Sequence, residues 1–167
     1  KSMTTKYDAT ANPQKQTVSY GETPDAGTSV NKTNLPEGTS YAWKTTPVTT
    51  DGPGEKDGVV EVIYKDGSKD TVDVKVTVKE LSSEYEVTGA PIEVNQNVSV
   101  TSEMLKGAVT ATNAQGEKGN AKIATVESKT PINTEAYGDQ TIQVKVTYID
   151  GSEQDVTIPL KVKDVTN

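Results

Sequence analysis

The same hairpin pattern occurs twice in this chain, as YKDGSKDTVDVKVTVK from Tyr64 to Lys79 and as YIDGSEQDVTIPLKVK from Tyr148 to Lys163. Each copy has an Asp-Gly-Ser turn, and after it aliphatic residues alternate with Asp, Lys, Thr and other polar residues. A period of two is typical of a β-strand that buries one face. The pattern therefore predicts two antiparallel hairpins, each with one face in a core.

The spacing of the aliphatic residues also predicts the register of each hairpin. A two-residue loop would turn the two aliphatic rows to opposite faces, because a slip of one residue inverts every side chain. A three-residue loop, Lys65-Asp66-Gly67, pairs Tyr64 with Ser68 and keeps both rows on one face. Such a loop ends in a left-handed residue, which glycine adopts without a Cβ penalty. We therefore expect positive φ at Gly67, and at Gly151 in the second copy.

The repeat extends well beyond the hairpins. A shift of 84 positions aligns residues 41–79 with 125–163 without a gap, and a shift of 78 aligns KYDATANP (6–13) with EYEVTGAP (84–91). The second copy thus has about six extra residues, which we place near Asn113–Asn120. A repeat of about 80 residues is too long for a solenoid unit. We expect two domains, 1–80 and 81–167, with the boundary at Glu80–Ser83.

Composition narrows the chemistry available to the chain. The 167 residues contain no Cys, His or Phe, and aromatic residues make up 5%. Disulfides, thiolate metal sites and imidazole acid–base catalysis are therefore absent. The net charge of −7 would repel the phosphates of nucleic acids, and no stretch is apolar enough for a membrane span. We predict a non-enzyme with no catalytic residue, metal, cofactor or nucleic-acid partner.

Two local sequence features give further predictions about the fold. Pro159 cannot donate a ladder hydrogen bond, so its strand should be an edge there or turn that position outward. The segment TSEMLKG (Thr101–Gly107) has a hydroxyl cap, an early Glu and a closing Gly, which predicts a short helical turn. The predicted fold is all-β, with two tandem small antiparallel β-sandwiches that each contain a short helical turn.

The first half contains Leu35-Pro36 with Gly38-Thr39, then Tyr41 and Trp43, then Pro53-Gly54, and the Tyr64 hairpin. In these motifs it resembles the Rib/alpha-like repeat of Gram-positive surface proteins. The second half keeps that hairpin but has Glu127 at the aligned position of Trp43. The resemblance implies immunoglobulin-like sandwiches with fewer strands, arrayed in a protein anchored to a Gram-positive cell wall. It implies no catalytic residues.

Several residues admit more than one role. The DGSKD segment (Asp66–Asp70) could be a calcium loop, but an EF-hand needs oxygen ligands at positions 1, 3 and 5 and Gly at 6, so we favour a turn. Trp43 could stack on a sugar, and we favour a buried core residue instead. Lys–Asn cross-links would suit such a domain, although no spacing selects a pair. The assigned structural residues are Trp43, Tyr64, Asp66, Gly67, Tyr148, Asp150 and Gly151.

The favoured function is a structural spacer that projects a distal domain from the cell wall, outside the cell. The partners expected are neighbouring repeats of the same chain, with the molecule itself a monomer. The alternative is an adhesin module for a host glycan or protein, which needs an exposed apolar or aromatic patch. We expect such a patch, if present, at Asn113–Asn120. The junction KELSSEYEV (Lys79–Val87) lacks Gly and Pro, which favours two domains in line.

Overall fold

The computed structural model describes residues 1–166, which divide into two compact units. Unit 1 is Lys1–Glu80, and unit 2 begins at Leu81. Within the described residues, no helix is long and apolar enough to cross a membrane. The all-β fold class predicted from the sequence is confirmed.

Unit 1 is built around one four-stranded sheet with the order β1-β4-β3-β2. Outside the sheet lie a short helix and a 3₁₀ turn, and an isolated bridge joins Ala11 to Val30. The elements are α1 (Met3–Lys6), β1 (Gln16–Val18), a 3₁₀ turn (Gly27–Ser29), β2 (Ser40–Trp43), β3 (Gly54–Ile63) and β4 (Lys69–Val78).

Unit 2 repeats this sheet with the order β6-β10-β9-β8 and adds a two-stranded sheet, β5-β7. The elements are α2 (Leu81–Glu84), β5 (Tyr85–Gly89), β6 (Ile92–Asn95), α3 (Ser102–Ala108), β7 (Val109–Asn113), a 3₁₀ turn (Asn120–Lys122), β8 (Ile123–Ser128), β9 (Gly138–Tyr148) and β10 (Glu153–Lys163).

The hairpin register and its loop agree with the sequence prediction. Val60 pairs with Val72, and Val144 pairs with Val156. The Tyr64 N–H donates to the Ser68 carbonyl at 2.9 Å, which closes the three-residue loop. The aliphatic rows of both hairpins line the core because they share one face. Their fully buried members include Tyr64, Tyr148, Val60, Val62, Val76, Val144, Val146, Ile158, Leu160 and Val162.

Each four-stranded sheet also contains one parallel pair. In chain order, the first strand of that sheet pairs with its last strand, as β1 with β4 in unit 1 and β6 with β10 in unit 2. Three residues of β1 and four residues of β6 are in register with their partners. The long hairpin is therefore flanked by the N-terminal strand on one side and by β2 or β8 on the other.

The prediction for Pro159 is confirmed, and the helical turn is confirmed at its start, although Gly107 lies within the helix Ser102–Ala108 and does not close it. Pro159 is exposed, and the β6 ladder begins only at Leu160, so β10 has β9 alone as its neighbour at the proline. The helix α3 begins after Thr101, whose hydroxyl accepts the Met104 N–H at 3.2 Å.

The pairing of the edge strand β8 shows that the gapless alignment of residues 41–79 with 125–163 is one residue out of register at this strand. A bulge between Ile123 and Thr125 shifts the pairing of β8 with β9 by one residue. Trp43 pairs with Val60, whereas Ser128 pairs with Val144, the residue equivalent to Val60. The position of Trp43 in unit 2 is thus occupied by Ser128 and not by Glu127, because the bulge adds a residue that an ungapped comparison cannot detect.

The turn clamp, a candidate functional site

The Asp-Gly-Ser turn of unit 1 is held by its own side chains. Gly67 has φ 85°, as the register requires, and its N–H donates to the Tyr64 carbonyl at 2.9 Å. One oxygen of Asp66, Oδ1, accepts both the N–H and the hydroxyl of Ser68. This turn leaves the other carboxylate oxygen and the Ser68 oxygen available as hydrogen-bond acceptors.

Both of these acceptors bind the start of the chain. Asp66 Oδ2 accepts the backbone N–H of Met3 at 2.7 Å, and Ser68 Oγ accepts that of Thr4 at 3.1 Å. The first N–H groups of a helix have no partner within the helix. The turn therefore caps α1 from 63 and 64 residues away. We call this arrangement the turn clamp.

Two tyrosines and a carboxylate extend the turn clamp of unit 1. The Tyr64 hydroxyl donates to Asp70 Oδ2 at 2.6 Å, and the Thr4 hydroxyl donates to Asp70 Oδ1. The ring of Tyr7 stacks on the ring of Tyr64 with centroids 5.8 Å apart. Tyr64 is 2% exposed, so the clamp connects the N-terminal segment directly to the core.

The turn clamp recurs in unit 2. Asp150 Oδ2 accepts the Leu81 N–H at 2.8 Å, and Ser152 Oγ accepts the Ser82 N–H at 3.0 Å. Gly151 again has φ 85°. The turn that caps α1 in unit 1 therefore caps α2 in unit 2.

Unit 2 replaces one carboxylate of the clamp with an amide. The Tyr148 hydroxyl donates to Gln154 Oε1 at 2.8 Å, and Gln154 Nε2 donates to the carbonyls of Ser82 and Tyr85. The rings of Tyr85 and Tyr148 stack with centroids 6.2 Å apart. The contact between hairpin and N-terminal segment is thus kept although the residue at Asp70 changes to Gln154.

Hydrogen bonding and burial shift the pKa values of the aspartates and tyrosines in the clamps. The Ser68 hydroxyl and the Met3 N–H lower the pKa of Asp66. Partial burial would raise the pKa of Asp150, but the Ser152 hydroxyl and the Leu81 N–H outweigh it and lower the pKa. Burial is the main cause that raises the pKa of Tyr64, and it raises that of Tyr148 to about 12. Both tyrosines are therefore hydrogen-bond donors at neutral pH.

The calcium interpretation of the Asp-Gly-Ser segment finds no support in the geometry. Both oxygens of Asp66 and both oxygens of Asp70 already accept hydrogen bonds from the protein. Among residues 1–166, no three acidic side chains come together as a group that could hold a metal ion. The segment acts as a turn and as a helix cap.

The sequence favoured a buried core residue at Trp43, and in the structure Trp43 is partly buried, because β2 is an edge strand. The ring packs against both hydrophobic clusters of unit 1, and its N–H donates to the Pro24 carbonyl at 2.8 Å. A Cβ at Gly58 would lie 2.8 Å from the indole, so this glycine admits the ring.

Sequence reasoning assigned Tyr64, Asp66, Tyr148 and Asp150 to the hairpins and missed the clamp that they form. The partners of these residues lie at the start of each unit, in KSMT (1–4) and in KELS (79–82). These segments share a Lys, an aliphatic residue and a hydroxyl residue at the shift of 78 positions. That likeness was the available signal, and it extends the aligned block toward the N-terminus.

The segment Asn113–Asn120, where we placed the extra residues of the second copy, carries no large exposed apolar residue. Its turn is closed by the Asn113 N–H, which donates to the Glu117 carbonyl at 2.9 Å. The exposed large apolar residues of unit 2 lie elsewhere. They are Val98, Tyr137, Ile149 and Val165, with Tyr137 the most open at 62%.

Residues 5–80 and 82–164 each match the Rib domain family. Over 117 residues, which are 68% of this chain, the sequence is 34% identical to the C protein alpha-antigen of Streptococcus agalactiae serotype Ia. The matched part is 11% of that protein's length. A solved Rib structure from Streptococcus pyogenes is 42% identical, with a TM-score of 0.42, and the alignment covers 46% of this chain and 96% of that one.

Proposed function

Because this chain belongs to the Rib domain family, we propose that its two units are structural spacers in the stalk of a bacterial surface protein. In this function the units lie outside the cell, in a protein anchored to the cell wall, and hold a distal domain away from the wall. Their immediate partners are neighbouring repeats of the same chain.

One observation carries this proposal, which is that the chain enters and leaves each unit at opposite ends of its hairpin. Met3 is bound to Asp66 at the turn end. The last strand, β4, ends at Val78, which pairs with Gly54 at the open end. A ten-residue strand is about 33 Å long. Each added unit therefore moves the chain forward by about the length of its hairpin.

The segment between the units has little slack. The Lys79 N–H donates to the Val18 carbonyl within unit 1, and the Leu81 N–H donates to Asp150 within unit 2. Only Glu80 separates these two anchored residues. A segment without Gly or Pro that is held at both ends is stiffer than a flexible linker. In the proposed function, the turn clamp of unit 2 orders the junction.

Small-angle scattering on the full chain tests this proposal. Two units of this size in line would have a radius of gyration of about 20 Å, whereas one globule of the same length would have about 15 Å. We expect a value near 20 Å. A value near 15 Å with a single-peaked distance distribution would contradict the spacer.

A matched pair of variants tests the turn clamp within this function. Asp150→Ala with Ser152→Ala removes both acceptors that hold the junction, so the distance distribution should broaden. Asp66→Ala with Ser68→Ala removes the identical contacts at the start of unit 1, away from the junction. This control should leave the distribution unchanged. Equal broadening in both variants would contradict a role of the clamp in ordering the junction.

The alternative function, adhesion, rests on a different observation. Val98, Tyr137 and Val165 are exposed, and Gln96, which accepts the Val165 N–H and donates to the Glu135 carbonyl, connects the segments on which they lie. A contiguous exposed apolar patch marks an interaction site. Binding of the fluorescently labelled chain to host epithelial cells, compared with a Tyr137→Ser variant, tests this function. Equal binding by both chains would contradict it.

A further inference from the structure

The parallel strand pairs join the two ends of each unit. In unit 1, Gln16, Thr17 and Val18 are in register with Val76, Thr77 and Val78. In unit 2, the four residues of β6 are in register with Leu160–Lys163. The ladders continue for one more bond, from Lys79 N–H to Val18 and from Gln96 N–H to Lys163. We call these contacts the terminal strand pairs.

The direction of the strands determines how a stretched chain would load each terminal strand pair. The segment before β1 leads back to the turn end, where Met3 is bound. The segment after β4 leaves at the open end. Tension between the two ends of the unit would therefore pull β1 and β4 in opposite directions along their common axis.

Parallel ladders resist such a pull collectively. Their hydrogen bonds run across the strands, so sliding one strand along the other strains all of them together. A hairpin pulled apart from its open end, by contrast, loses its pairs one at a time. The unfolding force depends on the barrier that must be crossed and not on the equilibrium free energy alone.

The terminal strand pair of unit 1 also has its own cluster of buried hydrophobic side chains. Val18, Val76 and Val78 are at most 4% exposed and form a hydrophobic cluster separate from the main cluster of the unit. Trp43 and Val48 pack against it. In unit 2, Val94, Leu160 and Val162 are at most 5% exposed. Burial keeps water from replacing the ladder hydrogen bonds while the strands are under load.

We propose that the terminal strand pairs are load-bearing elements, which keep each unit folded when tension acts along the chain. This inference rests on the proposed spacer function, since a stalk on a cell surface carries the force that acts on its distal domain. In this function β1 and β6 resist tension on the unit in addition to covering the core.

Single-molecule force spectroscopy on the full chain tests the proposal. The sequence contains no Cys, so handles can be attached at introduced cysteines. Lys1→Cys with Glu80→Cys loads unit 1 between its ends. Glu55→Cys with Thr77→Cys loads residues that pair at the open end of the β3–β4 hairpin, so the hairpin opens one pair at a time.

At the same loading rate, the pull between positions 1 and 80 should need several times the force of the pull between positions 55 and 77. The equilibrium stability of both cysteine variants is measured first, so that a difference in force reflects geometry. Equal forces in the two geometries would overturn the proposal.

A second comparison separates the strand pair from general stability. Val18→Ala removes a buried side chain from the terminal strand pair, and Val62→Ala removes one from the main cluster. For an equal loss of equilibrium stability, Val18→Ala should lower the 1–80 unfolding force more than Val62→Ala does. An equal reduction would overturn the proposal. The radius of gyration tests the spacer and the unfolding force tests the strand pair, so either can fail without the other.

Discussion

Outside its four-stranded sheet, unit 1 has a single bridge between Ala11 and Val30, whereas unit 2 pairs five residues of β5 with five of β7. The 3₁₀ turn Gly27–Ser29 of unit 1 stands where unit 2 has the longer helix α3. The four-stranded sheet and the turn clamp differ little between the units. The strand pairing outside the four-stranded sheet therefore differs in extent between the units, while the hairpin that runs from one end of each unit to the other is the same.

The two units also distribute side-chain volume differently around the edge strand. Unit 1 places the large Trp43 on β2 over Gly58 of β3. Unit 2 has Ser128 at the position of Trp43 and Ile142, 3% exposed, at the position of Gly58. A large residue on the edge strand is thus exchanged for a large residue on the inner strand. Close packing requires that such changes occur together.

The largest effect is expected from Trp43→Ala. We expect this change to lower the free energy of unfolding of unit 1 by about 3 kcal/mol, because packing against two clusters and a hydrogen bond are lost. Ser128→Ala in unit 2 is the matched control and should change stability little. Urea unfolding followed by circular dichroism measures both, and equal effects would contradict the difference between the units.

Replacing the residues at positions 43 and 58 with those of unit 2 tests whether the two positions are coupled. Gly58→Ile should cost about 2 kcal/mol, because its Cβ would approach the indole and the side chain of Val48. Combined with Trp43→Ser, the pair of unit 2 is rebuilt in unit 1, and the total loss should be smaller than the sum of the single losses. Additive free energies of unfolding would show that the positions are independent.

The turn glycines should have equal effects in the two units. Gly67→Ala and Gly151→Ala should each cost about 1 kcal/mol, since alanine is strained at positive φ. No atom lies within 4 Å of a Cβ at either position, so backbone strain alone is tested. Gly107→Ala within α3 has similar space and no positive φ, and it should be neutral or stabilising. Thermal unfolding measures the three variants, and a neutral Gly67→Ala would contradict the predicted strain.

The turn clamps predict a shared dependence on pH. Hydrogen bonds from the protein lower the pKa of Asp66 and Asp150 in the folded state. Their contribution to stability is therefore complete above the unfolded aspartate pKa of about 3.9 and is lost as the pH falls through the lower folded value. Asp66→Asn or Asp150→Asn should flatten the loss of stability below pH about 4.

Urea unfolding at a series of pH values measures this effect. Asp139→Asn, at an exposed position of β9 outside both clamps, is the control. If the control flattens the curve as much as the clamp variants do, the clamps are not its source.

The smallest effect concerns a left-handed position at the open end of each unit. Gly21 has φ 77° and Asn97 has φ 65°, and each donates its N–H to a threonine carbonyl, that of Thr50 or Thr134. Asparagine tolerates this conformation better than other residues with a Cβ. Gly21→Asn should cost about 0.5 kcal/mol or less, and Gly21→Val clearly more. Equal losses in thermal unfolding would contradict equivalent backbone roles.

Much of the fold could be predicted because its signals are local. The alternation of valine with polar residues determines which face each strand buries, and Gly67 and Gly151 mark a three-residue loop, an odd length that keeps those faces together. The cap of α3 at Thr101 is likewise contained in a few neighbouring residues. The turn clamp could not be predicted in this way, because Asp66 and Met3 are 63 residues apart and nothing local to the Asp-Gly-Ser turn indicates which distant N–H groups it binds.

The sequence by itself determined the hairpins and their register, since side-chain period and glycine conformation act over a few residues. Only the tertiary structure decided that β1 and β6 join the sheets in parallel, that a bulge puts Ser128 opposite Val144, and that Trp43 stays partly exposed. These outcomes depend on which segment covers the edge of a sheet. That choice is made by packing and hydrogen bonding between distant segments, whose combined free energy no single stretch of sequence contains.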